Sequence, residues 1–236
     1  MKTSQVEKDE FFIEVPNRDY EFDFSTGEYP STVRWKSQNK SLSISDEGTH
    51  FIFCTAGSVE VVYGDNNSHI LKQNCYGCVS NAAIINGPGS ALISSRLGYR
   101  GLNTFGGPTE NMGRLRYIDG CSSTVLIAPP KKGDPCFNYL YIPAGINQTA
   151  HTHPTLRVGY ILEGNGIIKL EDKTLVLQEN SFFWLPPDML HSFHTNKESL
   201  KRVIYHPDSE VGPSDEEHPM LNRTIVDGIP ANIFFR

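Results

Sequence analysis

The chain has 236 residues, 38% of them hydrophobic and 20% charged, with a formal net charge of −6. That length suits one large or two small domains with a real core, and the composition is that of an ordinary globular protein. The acidic balance, with no basic run longer than Lys131-Lys132, argues against duplex nucleic acid as a partner, and no apolar stretch approaches the roughly 20 residues that span a bilayer.

The N-terminus, MKTSQVEKDE, is polar and acidic and lacks the apolar core of a signal peptide, so the cytoplasm is the expected compartment. The five cysteines, Cys54, Cys75, Cys78, Cys121 and Cys136, are then expected as reduced thiols. The sequons at Asn66, Asn147 and Asn222 carry no meaning in that setting. Strand signals follow along the chain: HFIFC, SVEVVYG, FNYLYIPAG, GYILEG, GIIKLED, KTLVLQEN, SFFWLPP and RVIYHP. These short runs are rich in β-branched and aromatic residues and are separated by Gly, Pro, Asn and Asp. No convincing amphipathic helix accompanies them, so an all-β sandwich or barrel is predicted.

Residues 51–80 resemble residues 158–186. Phe53 lies over Tyr160 and Gly57 over Gly164, and after a one-residue gap Asn74 lies over Asn180. The period is about 106–107 residues, which predicts two copies of one β-unit. A linker over 106–120 would join them. The first 35 or so residues and the last 25 or so fall outside both copies, and the Pro- and acid-rich tail 207–219 is expected as an ordered wrap or a loop.

The second copy carries HTH at 151–153 and a further His191 after a Pro-containing turn. Successive strand side chains alternate faces, so His151 and His153 point the same way and can share one ion. His191 can complete the set from a neighbouring strand. His194 lies three residues on and falls on the opposite face. Gln148, Tyr139, Tyr141, Tyr160 and Trp184 are candidates to line a pocket, or are plain core. Glu163 closes the YILEG turn and is expected to be solvated.

These segments resemble the cupin superfamily. Its first motif, G-x5-H-x-H-x3–4-E-x6-G, is matched by Gly145, His151, His153, position 157 and Gly164, except that Arg157 replaces the Glu. In the second motif, G-x5-P-x-G-x2-H-x3-N, Asn180 and Asp188 stand for the glycines, Pro186 and His191 match, and Thr195 takes the Asn position. The resemblance implies two tandem jelly-roll barrels. Residues 1–110 would form a degenerate N-terminal barrel, and residues 111–236 a C-terminal barrel with His151, His153 and His191 as metal ligands. In the first copy the matching positions fall near Ile44, Asp46, His50 and Ile84 or Ile85. That barrel is expected to be structural, a dimerising surface or a lid, and a homodimer is the expected assembly. The Cys75-Tyr-Gly-Cys78 pair has no second pair at zinc-finger spacing and is expected as ordinary thiols.

Arg157 offers only donors and cannot coordinate a cation. Three neutral imidazoles would remain, as in cupin-like thiol dioxygenases and diketone-cleaving dioxygenases. That likeness implies iron(II), while zinc, nickel, copper or manganese also suit such ligands. Three roles for Arg157 stay open: binding an anionic substrate beside the metal, pairing with Glu163 or Asp188, or replacing the metal's charge in a metal-free pocket. The functions to be separated are an iron oxygenase acting on a small anion, an isomerase or lyase of a small carboxylate or sugar-type substrate, and a non-catalytic small-molecule binder. The residues singled out for catalysis are Arg157 and Tyr160, with Tyr160 or His194 as the base that an isomerase needs. No DNA-binding helix is evident.

Overall fold

The computed structural model describes residues 10–209, 212–214, 218, 220–221 and 223–234. Residues 1–9 of the polar N-terminus, Asn222, and positions 210–211, 215–217 and 219 of the expected tail lie outside the described residues. The alternation of apolar and polar residues becomes strands almost throughout, with only two short 3-10 turns, Ile118–Gly120 and Ala231–Ile233, among the described residues. No helix of the described residues is long and apolar enough to cross a membrane.

Four layers stack on one another. A three-stranded sheet (Gly166–Leu170, Thr174–Leu177 and His191–His194) covers a seven-stranded sheet whose centre is Arg157–Gly164 and Leu200–His206. Ile142, Ile161, Ile168, Phe183 and Phe193 fill the space between them. On the other side, a four-stranded sheet covers a six-stranded one, packed around Ile52, Val61, Leu71, Ile85 and Ile93. The two large sheets then face each other across an aromatic core containing Trp35, Phe53, Tyr160, Phe182, Trp184 and Tyr205.

The sequence repeat has a backbone cause. Gly57 and Gly164 hold φ of 65° and 86°, and Asn74 and Asn180 hold φ of 65° and 66°. The left-handed region favours Gly and tolerates Asn, so each copy turns at the same two places. At Gly164 a Cβ would sit 1.8 Å from the Ser199 carbonyl oxygen, so no side chain fits there.

Two expectations about chain organisation change. Residues before 35 are not outside the sheets. Tyr20–Phe24 and Ser31–Lys36 belong to the six-stranded sheet, and Phe12–Glu14 pairs antiparallel with Phe182–Leu185 in the seven-stranded one. A boundary at residue 110 therefore cuts across a sheet. The segment expected as a linker also adds a strand, Leu115–Arg116, beside Ser122–Ile127. Of the tail, Gly212 packs against Lys131 and Lys132, and Ser209 accepts a hydrogen bond from the Gly133 amide. The five cysteines are free thiols.

Candidate metal centre

His151 and His191 face each other in a two-way backbone bridge, His151 N–H to His191 O at 2.9 Å and the reverse at 3.0 Å. His153 is anchored next to it, its carbonyl accepting from the Asp188 amide at 2.7 Å. Asp188 holds φ of 57°, so it supplies the left-handed turn for which a glycine would otherwise serve. This turn returns the chain so that His191 begins the strand His191–His194.

The three rings gather, with centroids 4.5, 5.0 and 5.1 Å apart. One nitrogen from each lies within 4.8 Å of the others. A common point is then no more than about 2.8 Å from each nitrogen, against roughly 2.0–2.1 Å for a zinc–imidazole bond, a gap that small ring rotations close. The tautomers suit this use. His151 Nδ1 and His191 Nδ1 each face a backbone carbonyl, Thr149 and Met189, at 2.8 Å. A carbonyl only accepts, so Nδ1 carries the proton and Nε2 keeps its lone pair. His191 Nε2 is buried with no hydrogen-bond partner. An orphaned acceptor of this kind among two more imidazoles fits a divalent ion.

Burial pushes His153 down to about 3, with the Arg157 charge as the next cause. Burial also pushes His191 down to about 4, partly offset by the Met189 carbonyl. Both imidazoles are therefore neutral near pH 7, the form that binds metal. In the unfolded chain they take up protons below about 6.5, so between there and their folded values the unfolded state binds more protons and stability is lost as the pH falls. The unfolding midpoint of the metal-free protein, followed by circular dichroism, is expected to drop as the pH goes from about 7 to about 5. A His153→Gln variant should show a shallower drop. An equal slope in both proteins would exclude His153 as the source.

A cavity of about 110 Å³ opens beside these rings. Its lining includes Arg157, Arg202, His206 and Tyr117, and no Asp or Glu. Arg157 is buried and partly tied. Its Nη1 donates to the carbonyls of Thr155 and Leu156 at 3.1 Å and also to the Thr155 hydroxyl. Its Nε has no partner. The acid nearest it is Asp208, at 3.9 Å, rather than Glu163 or Asp188. Glu163 is taken by Lys201 at 2.8 Å. Arg202 is deeper, 3% exposed, with Nε and Nη1 unpartnered. Burial without an acid pushes it down to about 9.

Tyr160 is not brought to the site. It sits one face away from Arg157 on the same strand, packs in the aromatic core between the large sheets, and donates from its hydroxyl to Asn180 Oδ1 at 2.8 Å. Trp184 lies in the same core. Tyr139 lines the cavity as expected and donates to the Asn111 carbonyl, whereas Tyr141 packs against the aromatic core. Gln148 backs the cluster, accepting from the Phe193 amide at 3.3 Å. His194 does fall on the other face of its strand, between Ser192 and Asn147. In the first copy Ile44 faces Ala83 where His151 faces His191 in the second, and both are buried in an apolar core. His50 is spent on Ser95 and the Asn81 carbonyl.

Sequence reasoning missed Arg202 and His206. Alternation along Leu200–His206 puts residues 202, 204 and 206 on one face, and that face turned out to be the cavity wall. His206 is partly exposed and lines the cavity. There, burial holds it well below the usual histidine range.

The AraC-like ligand binding domain family profile matches residues 144–217, which include all three histidines. No curated protein matches the sequence. Among solved structures, a cupin 2 conserved barrel domain protein from Leptotrichia buccalis is 14% identical, covering 80% of this chain and 88% of its own, with a TM-score of 0.57. Protein Ylba from E. coli is 16% identical over 87% of this chain and 95% of its own, with a TM-score of 0.60. A variant of oxalate decarboxylase from Bacillus subtilis is 11% identical over 86% and 80%, with a TM-score of 0.51. At these identities the likeness concerns the fold.

Proposed function

On a chain whose fold is the cupin-type barrel, we propose that His151, His153 and His191 hold a divalent metal ion, and that the centre is an iron(II) oxygenase acting on a small anionic substrate. The observation that carries this reading is a cavity where three imidazoles converge beside two guanidinium groups and no carboxylate. Iron(II), when bound, would supply dioxygen chemistry and a Lewis-acidic contact for the substrate. The chain's own part is to hold and select. The two carbonyls behind His151 and His191 fix the rings. Arg157, oriented by the carbonyls of Thr155 and Leu156, keeps Nε for an anion. The apolar walls, Phe183, Leu185 and Phe193, exclude water and strengthen both contacts.

Protein purified without added metal, analysed by inductively coupled plasma mass spectrometry, should carry close to one iron per chain and consume oxygen with a member of a carboxylate panel. Zinc, nickel or manganese in place of iron, with no oxygen uptake, would refute the oxygenase. Arg157→Ala is expected to weaken anionic ligands about 10- to 100-fold, the worth of one charged hydrogen bond, and neutral analogues less than about 3-fold, by calorimetry. Equal losses would reduce Arg157 to scaffold.

One observation favours a second reading, a lyase or isomerase. Neither Tyr160 nor His194 reaches the cavity, but the imidazole of His206 lines it, its Nε2 accepting from Asn138 Nδ2 at 3.2 Å, and is the side chain placed to exchange a proton there. Turnover without oxygen would select it. A ligand held tightly without turnover would instead select a binding module.

A further inference from the structure

Arg202 stands apart from the other buried cations of this chain. Arg34 is buried and meets Glu21 at 2.9 Å and Asp46 at 2.6 Å. Lys36 is buried and its ammonium donates to the carbonyls of Ser37, Gly87 and Gly89. Arg157 has three oxygens on Nη1 and Asp208 near by. Arg202 has none of this. It is 3% exposed, its Nε and Nη1 are buried without an acceptor, and its guanidinium lies 3.3 Å over the centre of the Phe193 ring. A ring face steadies a cation, but it accepts no N–H in the plane of the guanidinium. A buried charge without a partner is strongly unfavourable, and the walls of the cavity that it shares with the histidines carry no acid to relieve it.

The position of Arg202 matters as much as its state. Arg202 sits opposite Ile161, whereas Arg157 begins the same neighbouring strand four residues earlier. Four strand residues span about 13 Å, so the two arginines start from separate points of the wall, and both charges act on His153 and His191. A monoanion held by Arg157 has no second charged group to offer Arg202. The space is small as well. At about 10–15 Å³ per water-sized sphere, the cavity of about 110 Å³ takes an ion and a ligand of under about ten heavy atoms.

We propose that the substrate is a short dicarboxylate, with one carboxylate at the metal centre and Arg157 and the other received by Arg202. This rests on the anionic-substrate reading above. Planar carboxylates match the guanidinium fork, and an uncharged end in their place would leave Arg202 unpaired.

The test compares malonate and succinate with their half-amides, in which one carboxylate becomes a neutral group of the same shape. Calorimetry on the protein as purified should give at least 10-fold tighter binding of one dicarboxylate than of its half-amide. Arg202→Met should bring that ratio close to one, with metal content per chain unchanged and binding of the half-amide retained. Arg202→Lys, which keeps the charge, should hold an intermediate ratio and serves as the reading if the Met variant does not fold. A wild-type ratio near one, or a ratio unchanged in either variant, overturns the assignment. If the metal is absent while the ratio and its dependence on Arg202 persist, the metal reading fails and this one stands. If metal and Arg157 dependence hold with no dicarboxylate preference, this inference alone falls.

Discussion

Replacing His153 by alanine is expected to empty the metal centre. Most sites of this kind keep an anionic ligand that shares the load, but here the corresponding position is Arg157, which repels a cation. Two imidazoles would then face a dipositive ion with a guanidinium beside it. Structural zinc sites are worth about 10–16 kcal/mol over four ligands, so one ligand contributes on the order of 2.5–4 kcal/mol, a loss of about 60- to 700-fold in affinity. Metal per chain, measured after dialysis at micromolar protein, should fall to near zero in His153→Ala. It should be unchanged in His194→Ala, whose ring faces Ser192 and Asn147 on the other side of its strand. Full occupancy in His153→Ala would remove that residue from the ligand set.

The contrast between these two histidines shows what could be read in the sequence. The phase of His191 against His194 is a local property of a strand, and the structure keeps it, whereas the expected strand under His151 and His153 is absent: His151 makes only an isolated bridge to His191 and His153 lies in the loop before Arg157–Gly164. The turns were legible for a similar reason. Asn180 and Asp188 replace glycines of the motif, and both take left-handed φ, a conformation that these residues tolerate. Alternation failed where both faces of a strand are buried. Along Arg157–Gly164 the first five residues are all buried, because one face looks into the cavity and the other into the aromatic core between sheets. A pattern without a polar face has no phase, so nothing local separates Arg157 from Tyr160. The same ambiguity hid Arg202 and His206 within RVIYHP. The partner of Arg157 was missed for another reason. Asp208 is close because the antiparallel pairing that sets Val158 against Tyr205 carries the chain on to Thr155, which donates to Asp208, a long-range contact that no local pattern encodes. The strand Phe12–Glu14 is three residues long, too short for any periodicity, and exists because Phe182–Leu185 offers an edge.

That edge leads to the largest stability effect expected of one substitution, Trp184→Ala. Trp184 is fully buried between the two large sheets. Its ring stacks on Phe12 at 4.1 Å, packs on Phe22 at 4.7 Å and meets Phe24 edge-on at 5.4 Å, and its indole N–H donates to the Glu10 carbonyl at 3.1 Å. It thus joins a strand of the seven-stranded sheet, the added N-terminal strand and the edge of the six-stranded sheet. Truncating a buried Trp costs about 3–5 kcal/mol. For a chain of this size that lowers the unfolding midpoint by about 6–20 °C, measurable by calorimetry. The side chain points away from the cavity, so metal content in the folded variant should match wild type. Phe12→Ala combined with Trp184→Ala should cost less than the sum of the two, since the stacked pair is lost once. Strict additivity would mean that the N-terminal strand is held by its backbone ladder alone, and that the aromatic stack does not fasten it to the rest of the fold.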